Sequence, residues 1–197
     1  LHEEGERKQQ QKIVSDKIVG DKASLVLPGF WLKDANLPST FQTWFSVQAL
    51  YIWMLMVRLR AIPHYKHYSQ ELVDNWFLDA EARIKAAGIR SSKVVNDTLK
   101  DLVSSFRGAV LAYDEGLVKG DAVLASAVWR NLLGTTDDDV LPEVMLDVLV
   151  FIRKQLTMLN QVTDQDFILG NFKFDEIVSS TKGDGVSQTT DSDGVRL

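Results

Sequence analysis

The chain has 197 residues, 45% of them apolar, enough for one sizeable core, and it reads as one domain with loose ends. It contains no cysteine, which excludes disulfide frameworks, thiolate metal sites and cysteine nucleophiles. The formal net charge of -5 hides an asymmetry: residues 40–100 carry eight Lys/Arg against five Asp/Glu, net +3, and residues 101–197 carry eight against sixteen, net -8. A basic segment in an acidic protein suits RNA or an anionic membrane surface, and helical proteins also carry such imbalance on ordinary solvated faces.

Residues 1–24 are mostly Glu, Lys, Gln and Asp and read as a charged arm or solvated helix. The chain opens on Leu1, so any targeting presequence is expected to lie outside it. The packed domain is expected over 25–174. Ser39 with Gln42 has the form of a capping box ahead of an apolar run to Ile62, and Pro63 is expected to stop that helix. Val73, Trp76, Phe77, Ala80, Ile84 and Ala87 mark one face of a second helix ended by Gly88. Leu99, Val103, Phe106, Val110, Tyr113 and Leu117, spaced by fours and threes, predict the seam of a third. A shorter helix capped by Asp121 should run through Leu133, and Leu141, Met145, Leu149, Ile152, Leu156 and Leu159 repeat the seam pattern. Thr163 with Asp166 predicts the cap of a brief final turn. Residues 175–197 are read as an acidic flexible tail, poorest in apolar residues from Ser179 onward. No segment alternates apolar and polar as strands do, so the fold expected is an all-α, single-domain bundle of about six helices.

Tests for chemistry come back empty. His64 and His67 form an H-x-x-H without an acidic partner at ligand spacing, and a third ligand from His2 would require the arm to fold back, so no metal is assigned. No histidine has a glutamate three residues before it, as di-iron bundles need. There is no G-x-S-x-G elbow, no G-x-G-x-x-G, no P-loop, and the DSDG near the end lacks the later ligands of a calcium loop. No catalytic residue and no cofactor are assigned.

Two stretches stand out. In 41–57, Trp44, Phe45, Tyr51, Trp53, Met54 and Met56 crowd nearly every face of one helix. Gln42, Thr43, Ser46 and Gln48 and the short length argue against a membrane span, which needs about 20 mostly apolar residues. Such a helix is either a buried centre or an adaptable groove for a client or partner helix, rimmed by Arg58 and Arg60. At Tyr113-Asp114-Glu115-Gly116 the tyrosine continues the seam, while Asp114 and Glu115 are turned away by about 100° and 200°. Glu115 is placed to pair with Lys119. Gly116 costs about 1 kcal/mol inside a helix and so signals close packing or a helix end. Ala122, Ala125, Ser126 and Ala127 permit close approach, and Trp129 with Arg130 completes an expected structural lock in which Arg130 reaches Asp114.

The string LAYDEGLVKGDAVLASAVWRNLL, residues 111–133, resembles the signature of the ubiquinol-cytochrome c chaperone family, the cytochrome b assembly factors. The likeness extends through LPSTFQTWFSVQALYIWMLMVRLRAIP at 37–63, QELVDNWFLDAEARI at 70–84 and FIRKQLTMLNQVTDQDFILGNFKF at 151–174, in wording most like fungal members. The resemblance implies a helical mitochondrial matrix protein, peripheral to the inner membrane and without catalytic residues. It implies work at the mitochondrial ribosome's tunnel exit, beside its RNA, with a small helical partner subunit as heterodimer. Newly synthesised cytochrome b would be held there for complex III assembly. The acidic loop Asp137–Asp139 falls where members vary. On this reading the apolar helix at 41–57 is the candidate client cover, and Arg58, Arg60, Arg83, Lys85, Arg90 and Lys93 face RNA or membrane. A rival reading from the same apolar content is a helical binding protein or enzyme for a hydrophobic small molecule such as a quinone.

Overall fold

The longest apolar run of the sequence lies at the centre of the structure, a computed structural model that describes Leu27 and residues 29–134 and 142–180. The expected arm, the acidic loop at 137–139, Leu141 and residues 181–197 lie outside the described residues. Among the described residues every regular element is helical. In chain order they are α1 (Gly29–Lys33), α2 (Phe41–Leu59), α3 (Tyr65–Ala86), α4 (Ser92–Lys119), α5 (Asp121–Val128), α6 (Pro142–Gln161) and α7 (Asp164–Ile168). A π-helical turn, Trp129–Leu133, continues α5. No helix among the described residues is long and apolar enough to cross a membrane.

Helix α2 packs against α3, α4, α6 and the π turn, so most of its 19 residues are buried. Its N-cap is Thr40, in extended conformation, whose hydroxyl accepts from the Thr43 amide at 3.1 Å. The expected Ser39–Gln42 box therefore does not form; Gln42 lies inside the helix and donates to Ser46 Oγ at 3.4 Å. The helix closes at Leu59, ahead of Pro63. Helix α3 buries Trp76, Ala80 and Ile84, with Val73, Phe77 and Ala87 half-buried, as its spacing predicts.

In α4 the seam is rotated from the expected one. Val95, Thr98, Leu102, Phe106, Ala109, Tyr113 and Gly116 are buried, while Leu99, Val103, Val110 and Leu117 are half-buried beside them. Two adjacent stripes of α4 are apolar, and the stripe with small residues takes the close contact because neighbouring backbones approach nearest there. The closest approach is at Gly116, where an added Cβ would lie 2.5 Å from Leu124 Cα. Gly120, at φ 107, makes the reversal that brings α5 back along α4. It precedes Asp121, so the carboxylate expected to cap α5 instead takes Arg153 of α6 at 2.7 Å.

The inner face of α6 likewise carries Val144, Val148, Phe151, Ile152, Gln155 and Leu159, with Met145, Leu149 and Leu156 to the side. Gln155 is fully buried and its amide is used twice, accepting from the Asp175 backbone at 3.0 Å and donating to the Asp175 carboxylate at 3.3 Å. Further along, the Asp147 carboxylate accepts from the Ser180 amide at 3.0 Å. Residues 175–180 are thus fastened along α6, and the packed body does not end at 174. Thr163 caps α7 through the Asp166 amide at 3.1 Å, as expected.

Gly116 and Gly108 give opposite predictions within one helix, since an added Cβ at Gly108 meets nothing within 4 Å. Gly116→Ala should lower unfolding free energy by about 2 kcal/mol or more through overpacking, whereas Gly108→Ala should raise it by about 0.5–1 kcal/mol through helix propensity. Urea denaturation of both variants checks this.

Candidate functional site

The stripe of α4 turned away from the closest packing does not stay covered. Leu99, Val103 and Val110 face Val73 and Phe77 of α3 across an open groove of about 1030 Å³, with Met56 of α2 also in its lining. Its edges include three exposed apolar side chains, Tyr65 at 38%, Leu78 at 62% and Leu111 at 71%. Charged groups also line it: Arg60 and Asp114, Lys66, Asp74, Glu81 and Arg107. Scattered exposed apolar side chains are ordinary, but Tyr65, Leu78 and Leu111 border one apolar channel and so form a contiguous apolar surface.

Of the two readings the sequence leaves open for 41–57, a buried centre or a groove, the burial of its side chains matches the first. Trp44, Phe45, Trp53 and Met54 are buried, because α2 is apolar on most of its faces and α3, α4, α6 and the π turn pack around it. Only Met56 reaches the groove. Tyr51 borders a different hollow of about 530 Å³ with Leu27, Leu55 and Phe174, where burial pushes its phenol up.

The expected lock is also rearranged. Asp114 accepts two hydrogen bonds from Arg60, at 2.8 and 2.9 Å, and a third from the Trp53 indole at 2.9 Å. No Asp114–Arg130 bridge forms. The turn between Tyr113 and Asp114 aims the carboxylate at α2 and the residue following it, while Arg130, exposed on the π turn, donates to the Ser126 carbonyl at 3.3 Å. Trp129 is partly exposed and does not close the hairpin; contact between Gly116 and Leu124 does. Tyr113 is fully buried against Trp53, ring centroids 5.2 Å apart, and burial pushes its phenol well above the ordinary range. Glu115 bonds Lys119 at 2.6 Å, as expected; that bond, with smaller help from the charge of Arg130, holds its carboxyl below the usual range.

The six cations expected to face RNA or membrane divide. Arg58 is buried and donates to the carbonyls of Leu159 and Val162, each at 2.8 Å, and to Asp164 at 2.6 Å, so it closes the open end of α6 rather than rimming a surface. Its guanidinium also lies 5.2 Å from the centre of the Phe167 ring. Arg60 is held by Asp114. Arg83 pairs with Asp79 at 2.9 Å and lies over Trp44, and Lys85 pairs with Glu81 at 2.6 Å. Arg90 and Lys93 are exposed between α3 and the first turn of α4. His67 does have an acidic neighbour at helical spacing, against the expectation from the sequence: Glu71, four residues on, lies 3.4 Å away; even so, no group of three or more His, Cys, Asp or Glu among the described residues is placed to hold a metal ion.

What these residues assemble is an all-helical bundle with an open, charge-edged apolar channel on its surface. The chain belongs to the ubiquinol-cytochrome C chaperone family, whose model matches residues 33–174. It is 40% identical over 149 residues to Protein CBP3, mitochondrial, of Saccharomyces cerevisiae, an alignment covering 74% of this chain and 44% of that protein. It is 32% identical over 140 residues to ubiquinol-cytochrome-c reductase complex assembly factor 1 of Xenopus laevis, covering 71% of this chain and 68% of that one. The chain thus matches less than half the length of the yeast relative. The crystal structure of the Cbp3 homolog from Brucella abortus has the same fold, with a TM-score of 0.65 at 18% identity over 90% of this chain and 97% of that one.

The unequal burial of Asp114's partners yields a prediction. Asp114→Ala strands the buried Trp53 N–H and should cost about 2 kcal/mol, whereas Arg60→Ala removes only a partly exposed pair and should cost under about 1 kcal/mol. Chemical denaturation of the two variants checks the order; equal losses would mean that the ion pair dominates.

Proposed function

We propose that the protein is a non-catalytic assembly chaperone for newly synthesised mitochondrial cytochrome b. In this reading it works in the matrix, peripheral to the inner membrane, at the tunnel exit of the mitochondrial ribosome. A small helical subunit is its partner, and it hands the client to complex III assembly. Family membership supports the general role, and the observation that carries the client-holding step is the open groove between α3 and α4.

The dimensions support one client helix at a time. The α3 wall runs from Tyr65 to Glu81, which at 1.5 Å per residue is about 24 Å. A membrane-spanning helix needs about 30 Å of cover, so the groove shelters most of one such helix and leaves its ends free. Its polar equipment suits holding more than chemistry: Asp114 is engaged by three donors, Glu81 by Lys85 and Asp74 by Gln70. Because Arg83 and Lys85 have partners within α3, the contact with ribosomal RNA or anionic lipid is assigned to Arg90 and Lys93.

Leu78→Asp with Leu111→Asp should leave the unfolding midpoint unchanged, as both side chains are exposed, and should reduce newly made cytochrome b recovered with the purified protein several-fold. Undiminished recovery would remove the groove from the account, and a stoichiometric quinone in its place would favour the small-molecule reading. Arg90→Glu with Lys93→Glu should weaken co-sedimentation with mitochondrial ribosomes, most at low salt. Unchanged, salt-insensitive binding would count against this surface.

A further inference from the structure

The charges along the α3–α4 groove are not equally free. Each carboxylate of its lining is engaged: Asp114 by Arg60 and the Trp53 indole, Glu81 by Lys85 at 2.6 Å, and Asp74 by the Gln70 amide at 2.7 Å. Two of its cations are not. Lys66 and Arg107 are exposed in the lining, and among the described residues neither makes a hydrogen bond or an ion pair. Glu71, the nearest further carboxylate along α3, faces His67 at 3.4 Å. With Arg60 offset by Asp114 and Glu81 by Lys85, the edges present two free cations against one carboxylate that already holds a donor. The surplus is positive, in a protein whose formal net charge is -5.

We propose that Lys66 and Arg107 select the client by charge: the groove takes an apolar helix that carries acidic side chains on its flanks and rejects one that carries basic side chains. This rests on the reading of the groove as the client-holding surface. Apolar contact alone does not tell one hydrophobic helix from another, whereas a free cation at the edge attracts a carboxylate and repels a second cation. The fold also sets the spacing. Helices α3 and α4 run in opposite directions, since Arg60, just ahead of α3, meets Asp114 near the end of α4, and farther along Phe77 meets Phe106 with ring centroids 6.3 Å apart. Counting from that aromatic contact at 1.5 Å per residue, Lys66 and Arg107 stand about 15 Å apart along the channel, on opposite walls. A helix lying in the channel meets both when its acidic residues are about ten positions apart. Both cations are exposed side chains that hold nothing else, so selection is their remaining contribution to the groove.

The test uses the full chain and three fluorescent Leu/Ala helical peptides of about 20 residues, identical except for a pair of Glu, Gln or Lys residues about ten positions apart. Binding is read by anisotropy. The Glu peptide should bind about threefold to tenfold more tightly than the Gln peptide, and the Lys peptide more weakly than either, with the gap narrowing as salt is raised. Lys66→Glu with Arg107→Glu should reverse the order of the Glu and Lys peptides, and circular dichroism and the unfolding midpoint confirm that this variant is folded. Equal binding of the three peptides, or an order that survives in the double variant, would overturn the selection by charge and leave the groove as the client surface. Binding of the Gln peptide that is the same in Leu78→Asp with Leu111→Asp as in the parent chain, or no binding of any peptide, would overturn the groove reading and the selection with it.

Discussion

Helix α2 has apolar side chains on nearly every face, and the positions of the other elements follow from the need to cover them. Helices α3, α4 and α6 and the π turn enclose it, and aromatic contacts fix the enclosure: Phe45 stacks on Trp76 with centroids 4.5 Å apart, and Trp53 meets Tyr113. A helix so enclosed must also find partners for the polar groups at its C-terminal end. Trp53 and Arg60 find theirs in Asp114 of α4, and Arg58 finds its own in the last carbonyls of α6. Those attachments are charged hydrogen bonds between elements far apart in sequence, and they set the height at which α4 and α6 sit along α2.

The open groove is a by-product of the same packing. Helix α4 has two apolar stripes, and only one can lie against α2. The stripe with Phe106, Ala109 and Tyr113 turns inward, where Tyr113 meets Trp53 of α2, and at the end of the same stripe Gly116 lets Leu124 of α5 approach closely. The larger aliphatic residues are left facing α3, where Trp76 and Phe77 hold the two helices close to α2 but the outer halves stay apart. An apolar channel edged by Leu78 and Leu111 is the surface that remains, and the proposed client-holding role rests on it.

Much of this architecture is legible in the amino-acid order. Apolar spacing identifies the four long helices, the face of α3 and the cap at Thr163, and the string around Tyr113 identifies the family. Periodicity is local, however, and says nothing about which of two neighbouring stripes will win the close contact, so the seam of α4 is misplaced by one stripe. Long-range polar pairs are equally invisible: Asp114 could bond any of several arginines, and its true partners lie 54 and 61 residues away. The buried role of Arg58 has no clear signal in the order of residues, since Arg60 stands two positions on in the same apolar run and is partly exposed. The fastening of Asp175 and Ser180 depends on Gln155 and Asp147, inward-facing polar residues that resemble interruptions in an apolar stripe.

The claim that the α3–α4 groove holds the client is tested most directly by photo-crosslinking during mitochondrial translation, with a crosslinking amino acid at Leu78, Leu111 or, as a control elsewhere, exposed Val150 of α6. The account predicts adducts with newly made cytochrome b from positions 78 and 111 and few from 150. Adducts concentrated at 150, with none at 78 or 111, would contradict it.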